Sequence, residues 1–148
     1  MTNDEAKLNA FLVEVFNDIL RLEQASITQS GHTNLSVSEL HVLEVIDRLC
    51  AQGKAGMAEV AAALSVTAGT LTSAVKTLEQ KGYVRRERGE HDKRRVHLIL
   101  AGDSQSALAA HTAFHEKLVA NAAHSLSTQE MQALTQALAS LHRFFNEL

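Results

Sequence analysis

Proline is absent from this sequence of 148 residues, and cysteine occurs once. Without proline no position forbids a helix interior, and the abundant alanine and leucine favour long helices ended by glycines and capped by Ser, Thr or Asn. A single cysteine, Cys50, excludes a disulfide framework and a cysteine-based zinc finger. No run approaches the ~20 consecutive apolar residues of a membrane span. The first residues, Met1-Thr2-Asn3-Asp4-Glu5, are acidic where a secretion signal is basic. Aromatics are scarce at 4%, yet 45% of the residues are hydrophobic, enough for a real core. A reduced, cytoplasmic chain with one domain's worth of residues is the expectation.

Charge is nearly balanced at −3, but it is not evenly spread. Lys76, Lys81, Arg85, Arg86, Arg88, Lys93, Arg94 and Arg95 fall between residues 76 and 97, against Glu79, Glu87, Glu90 and Asp92. That segment carries +4 and leaves −7 for the other 126 residues. A focused basic patch on an acidic body is the footprint of a nucleic-acid site.

Hydrophobic periodicity divides the chain. Residues 4–29 repeat apolar side chains at helical spacing and stop at Gly31. Ser36 and Glu39 form a capping box, stapled by Leu35 and Leu40, for a second helix that ends at Gly53. Two short helical patterns follow. Met57 to Leu64 buries Val60, Ala61 and Leu64, Ser65-Val66-Thr67 makes a turn pinned by Val66, and Thr67 caps a helix from Ala68 to Lys81 with Gly82 after it. Helix, three-residue turn and helix is the spacing of a helix-turn-helix. The period then drops to 2, giving strands over Tyr83–Arg88 and Val96–Leu100 around a polar tip, which reads as a wing. Residues 104–124 resume a helix. A second capping box, Ser127 to Glu130, opens a last helix with Met131, Leu134, Leu138, Leu141, Phe145 and Leu148 on one stripe. The fold class is mainly α with a small β-hairpin: a winged helix-turn-helix over residues 36–101, flanked by helical segments 1–35 and 102–148.

The helix from Ala68 has two faces. Leu71, Val75 and Leu78 point to the core. Gly69, Thr70, Thr72, Ser73, Lys76, Thr77 and Gln80 lie opposite, and Thr67 stands at the start. Small residues let a helix sink into the major groove, hydroxyls bond phosphates or base edges, and Lys76 neutralises a phosphate or reaches a guanine. On the wing, Arg86, Arg88, Lys93, Arg94 and Arg95 supply cations, and arginines on a protruding loop suit a narrow minor groove. Asp92, unsuited to a phosphate, is expected to pair with a neighbouring arginine and fix its direction. No Ser/His/Asp set, paired acids or glycine-rich phosphate loop stands out, so no enzyme is expected.

The segment Ser65-Val66-Thr67-Ala68-Gly69-Thr70-Leu71-Thr72, then Leu78-Glu79-Gln80-Lys81-Gly82-Tyr83-Val84-Arg85-Arg86 and Asp92-Lys93-Arg94-Arg95-Val96, resembles the MarR family of bacterial transcription regulators. That resemblance covers nearly the whole chain. It implies an Asp-x-Arg wing motif at Asp92 and Arg94, a homodimer interleaving its first and last helices (residues 1–35 and 102–148), and a palindromic operator in double-stranded DNA. Phe16-Asn17-Asp18-Ile19-Leu20, Ser38-Glu39-Leu40-His41, Val66-Thr67-Ala68-Gly69-Thr70, Arg95-Val96-His97-Leu98 and Phe114-His115 are similar to the FabT-like branch. That branch implies a repressor of fatty-acid-synthesis genes with long-chain acyl-acyl carrier protein as co-repressor, no resident cofactor and no membrane. Leu100-Ala101-Gly102-Asp103-Ser104 departs from the family's usual Leu-Thr followed by a later Gly, which leaves the start of the fifth helix open.

The apolar surplus sets the ligand expectation. Phe11, Val15, Phe16, Ile19 and Leu20, with Leu40, Leu43 and Ile46, form a wide apolar lining that His41, His111, Phe114, His115, Leu118 and Val119 flank or close. Its ordinary use is dimer core, and the branch resemblance implies an acyl tunnel in the same space. His111 and His115, at i and i+4 with Glu116 adjacent and His41 as a third donor, have metal-ligand spacing. Zinc-sensing MarR regulators use such a set, so a zinc-responsive repressor of metal-uptake genes is one alternative, with His32 and Glu23 as further donors. A regulator of efflux or stress genes answering to small aromatic ligands is another. Cys50 lies in phase with the buried Leu43 and Ile46, unlike a redox sensor.

Overall fold

The structure, a computed structural model, describes residues 1–148. Its elements are α1 (Asn3–Gln29), α2 (Val37–Ala51), α3 (Met57–Leu64), α4 (Ala68–Gln80), β1 (Val84–Arg88), β2 (Val96–Leu100), α5 (Ser104–His124) and α6 (Thr128–Asn146). They fall into two compact units, Met1–Thr112 and Ala113–Leu148, with α5 running from the first into the second. No single helix is long and apolar enough to cross a membrane.

The first unit is built where apolar spacing and end signals agree. Ser36 and Glu39 cap α2 reciprocally: Glu39 N donates to Ser36 Oγ at 3.2 Å and Ser36 N to a Glu39 oxygen at 2.9 Å. Thr67 caps α4, accepting from Thr70 N at 3.1 Å. Ser65 ends α3 in the left-handed region, φ 54°, and α3 and α4 meet at a bend of 106°, within the range of a helix-turn-helix. Leu35, Leu40, Leu43, Ile46, Val60, Leu71, Val75, Leu78 and Leu98 are wholly buried in one cluster from α2, α3, α4 and the wing. Each removes ~1.5–3 kcal/mol of apolar surface from water. They hold the recognition helix by its inner face and leave its outer face in solvent.

β1 and β2 pair antiparallel from Val84–Leu100 to Arg88–Val96. A hairpin this small is marginal alone, and it is anchored twice. Leu98 and Val84 enter the core, and Leu98 N donates to Ala55 O at 2.8 Å beside a Gly56–His97 bridge. Tyr83 is not part of the strand. Its amide closes the end of α4 on Leu78 O at 2.9 Å, while Gly82 N bonds Glu79 O at 3.0 Å, the paired bonds of a Schellman end. Gly82 turns the chain at φ +83°, and Gly102 packs so closely on it that a Cβ there would lie 2.6 Å from the Gly82 carbonyl oxygen. The unusual Leu100–Ser104 segment therefore needs its glycine at 102, and α5 starts at Ser104.

The second unit is helical. Ser127 and Glu130 close the expected capping box, and these bonds hold the Glu130 carboxyl below its usual range. No residue of α6 is buried. Leu134, Leu138 and Phe145 lie open to solvent on its stripe, and Leu148 after its end is exposed as well. At the other end of the chain, Leu8, Phe11, Leu12 and Phe16 of α1 are exposed as well.

Candidate nucleic-acid interface

Gly69, Thr70, Thr72, Ser73, Lys76 and Gln80 are exposed along α4, with Thr77 half-buried. Leu71, Val75 and Leu78 occupy the opposite face. The hydroxyls divide into two groups. Thr72 donates back to Ala68 O at 2.8 Å and Thr77 to Ser73 O at 3.2 Å, so their protons are committed to the helix. The Thr67 hydroxyl donates to Thr70 Oγ1 at 2.9 Å, which leaves the Thr70 hydrogen for an outside acceptor. Thr70, Ser73, Lys76 and Gln80 are thus the donors the face offers.

The wing tip is ordered by its own backbone. Gly89 N donates to Arg95 O at 2.9 Å and Arg95 N to Asp92 O at 3.1 Å. Asp92 differs from expectation. Its carboxylate accepts from the Arg94 backbone N–H at 3.0 Å, not from a guanidinium. It therefore shapes the loop on which Arg94 stands, as Asx turns do, and does not engage that guanidinium. Arg86 also differs, because it is paired with Glu79 of α4. Arg88, Lys93, Arg94 and Arg95 are exposed, and the ion pairs of the wing involve only Arg85 and Arg86. The free cations are thus Lys76 on the helix and these four on the wing. Arg94→Ala is expected to weaken operator binding by roughly 1–3 kcal/mol, measured on the duplex that the wild-type protein selects from random-sequence DNA. Full-strength binding would take the wing tip out of the interface.

Over almost the whole chain this arrangement matches solved structures. Streptococcus pneumoniae FabT in complex with DNA is 31% identical, over 97% of this chain and 98% of that one, with a TM-score of 0.86. The MarR family profile matches residues 35–96. The chain belongs to the MarR family. A mutant of E. coli MarR complexed with operator DNA is 25% identical over 94% of this chain and 96% of that one, TM-score 0.67. The S. aureus MepR–DNA complex, 19% identical over 92% and 96%, shares the fold at a TM-score of 0.68. No curated protein matches the chain. As a MarR-type protein of the FabT-like branch, this is a DNA-binding transcription regulator with a winged helix-turn-helix.

The residues expected to line a ligand site in this MarR protein differ in exposure. Leu40, Leu43 and Ile46 are wholly buried in the core of the DNA-binding part. Phe11 and Phe16 are exposed, whereas Val15, Ile19 and Leu20 are half-buried. In the second unit Phe114 and His115 meet edge to face at 5.2 Å, Leu118 is half-buried and Val119 is exposed. Val66, expected to pin the turn, is 37% exposed and lines a cleft of about 340 Å³. Ser38, His41, Val42, Leu64, Thr70, Leu71 and Ala74 line it as well.

A separate polar cluster lies between α1, α2 and the start of α5. Glu23, 4% exposed, has its Oε1 3.8 Å from His41 Nε2 and 3.9 Å from His111 Nε2. Glu44 Oε1 is 3.0 Å from His111 Nε2, and the two imidazole rings are 5.9 Å apart. Donor atoms of His41, Glu44 and His111 all lie within 4.8 Å of one another. The sequence signalled both histidines, while Glu44 was missed because a lone surface acid on α2 carries no spacing signal. His32 does not join them. It is buried, 3.2 Å from the Tyr83 hydroxyl. Cys50 donates its S–H to Leu98 O at 3.0 Å, and burial, reinforced by Asp47, raises its thiol above the ordinary value.

Proposed function

We propose that the protein is a homodimeric repressor of fatty-acid-synthesis genes, with long-chain acyl-acyl carrier protein as its co-repressor and a palindromic operator as its DNA site. The observation that carries the reading is the likeness to FabT across 97% of the chain, together with what that branch resemblance implies. Exposed apolar side chains on α1 and α6 support the dimer, since solvent does not tolerate stripes that wide. A co-repressor acts only through its differential affinity for the DNA-competent state. An acyl chain packed along Phe11, Val15, Phe16 and Ile19 contributes ~0.8 kcal/mol per buried methylene, so its effect is graded by chain length.

A second reading rests on Glu23, His41, Glu44 and His111. Ligands held at ~2 Å from a tetrahedral zinc stand about 3.3 Å apart, close to the 3.0–3.9 Å separations here. Among them the donor atoms of His41, Glu44 and His111 lie within 4.8 Å of one another, and imidazoles with a carboxylate suit zinc. In this reading the ion joins α1, α2 and α5 and acts as co-repressor of metal-uptake genes.

One titration of operator affinity separates the two. Long-chain acyl-acyl carrier protein is expected to tighten binding, short-chain forms to do much less, and a chelator to change little. Release by chelator with restoration by zinc alone would overturn the fatty-acid reading in favour of the metal.

A further inference from the structure

Lys81 belongs by sequence to the basic segment, but its ammonium is engaged inside the DNA-binding part. It donates to both Glu39 oxygens at 2.9 Å and to the Asn34 carbonyl. We propose that Lys81 is a positioning residue for operator recognition, fixing the corner between the recognition helix and the wing against the connection that joins α1 to α2.

The geometry around it carries the inference. Lys81 and Tyr83 flank Gly82, whose φ of +83° makes the corner. A glycine corner resists bending least, so the angle between α4 and the wing depends on what holds its two neighbours. Both are held by the same short connection. The Tyr83 hydroxyl donates to Asn34 Oδ1 at 3.1 Å. That oxygen only accepts, so His32 Nδ1 carries a hydrogen and donates to the Tyr83 oxygen at 3.2 Å. Lys81 grips the Asn34 carbonyl and Glu39 on the other side.

Glu39 is a firm anchor, because the capping box of α2 already fixes it through the Ser36 amide. The pair is shielded, with side-chain exposures of 28% for Lys81 and 16% for Glu39, unlike the exposed pairs that contribute little. Burial opposes the Glu39 charge, yet hydrogen bonds from Lys81 and the Ser36 amide outweigh it and lower its pKa. The tie is therefore complete above the ordinary carboxylate value of 4.5 and is lost on acidification through the lowered one. Asn34, which both neighbours of the corner grip, lies in the connection that follows α1.

The test uses the full chain and two duplexes of equal length, one carrying the site the wild-type protein selects from random-sequence DNA and one scrambled. Lys81→Met is expected to weaken binding to the selected duplex about tenfold. Binding to the scrambled duplex and the slope of log affinity against log salt stay unchanged, and Lys81→Arg restores most of the loss. A parallel loss on both duplexes, with the slope reduced by about 0.9, would show a phosphate contact instead. Unchanged affinity for both would reduce the clamp to a stability element. If Lys81→Met melts below the assay temperature, Glu39→Gln, which keeps the capping oxygen, replaces it: a loss confined to the selected duplex supports the clamp, and unchanged or tightened binding to both duplexes overturns it.

Discussion

Removal of residues 125–148 is expected to leave a monomer or an aggregate and to abolish binding to a two-half-site operator. α6 contains no buried residue, although Leu134, Leu138 and Phe145 align on one face. Burying such side chains against a partner contributes ~1.5–3 kcal/mol each, so the deletion is expected to cost the proposed dimer much of its cohesion. What remains exposes the matching stripe of α1, with Leu8, Phe11, Leu12 and Phe16 in solvent. A two-fold operator read by single protomers loses the second recognition helix and with it most of the specific affinity. Sedimentation velocity and operator titration check both parts. A deletion variant that stays soluble and dimeric would place the interface elsewhere.

Leu71→Ala is expected to destabilise the protein by about 2–5 kcal/mol, a large share of the ~5–15 kcal/mol that holds a domain of this size together. Leu71 is 1% exposed on the inner face of the recognition helix, within the cluster that includes Leu43, Val60, Val75 and Leu78. Val60 and Val75 of that cluster are β-branched and stiff, which limits its collapse into the space left behind. Chemical denaturation measures the loss, and operator affinity at low temperature measures what the outer face retains. Thr70, Ser73 and Lys76 are untouched by the change, so the folded fraction is expected to bind DNA normally. A loss below 1 kcal/mol would mean that the recognition helix is not held by this face.

The legible features were those with local causes. Capping boxes at Ser36–Glu39 and Ser127–Glu130 need only four consecutive residues, and both formed as read. The helix-turn-helix came from apolar spacing interrupted by Ser65-Val66-Thr67, and the wing from a change of period after Gly82. Misreadings arose where a side chain had two possible partners. Asp92 bonds a backbone amide two residues away rather than a guanidinium, and nothing in the string Asp-Lys-Arg-Arg separates those outcomes. Arg86 and Lys81 looked like members of one basic patch, yet each meets an acid, Glu79 and Glu39 respectively.

The sequence by itself determined the elements, the inner and outer faces of the recognition helix, and the placement of positive charge on a winged scaffold. Those follow from spacing and from end signals within a few residues. Only the tertiary structure showed that Leu40, Leu43 and Ile46 of α2 are wholly buried, because their periodicity is shared by any apolar face. It alone brought Glu23, His41, Glu44 and His111 from three helices into one cluster. It alone turned Lys81 onto Glu39, 42 residues away in sequence. Partner choice between distant charges is set by the packing that brings them together, and one-dimensional spacing carries no record of it.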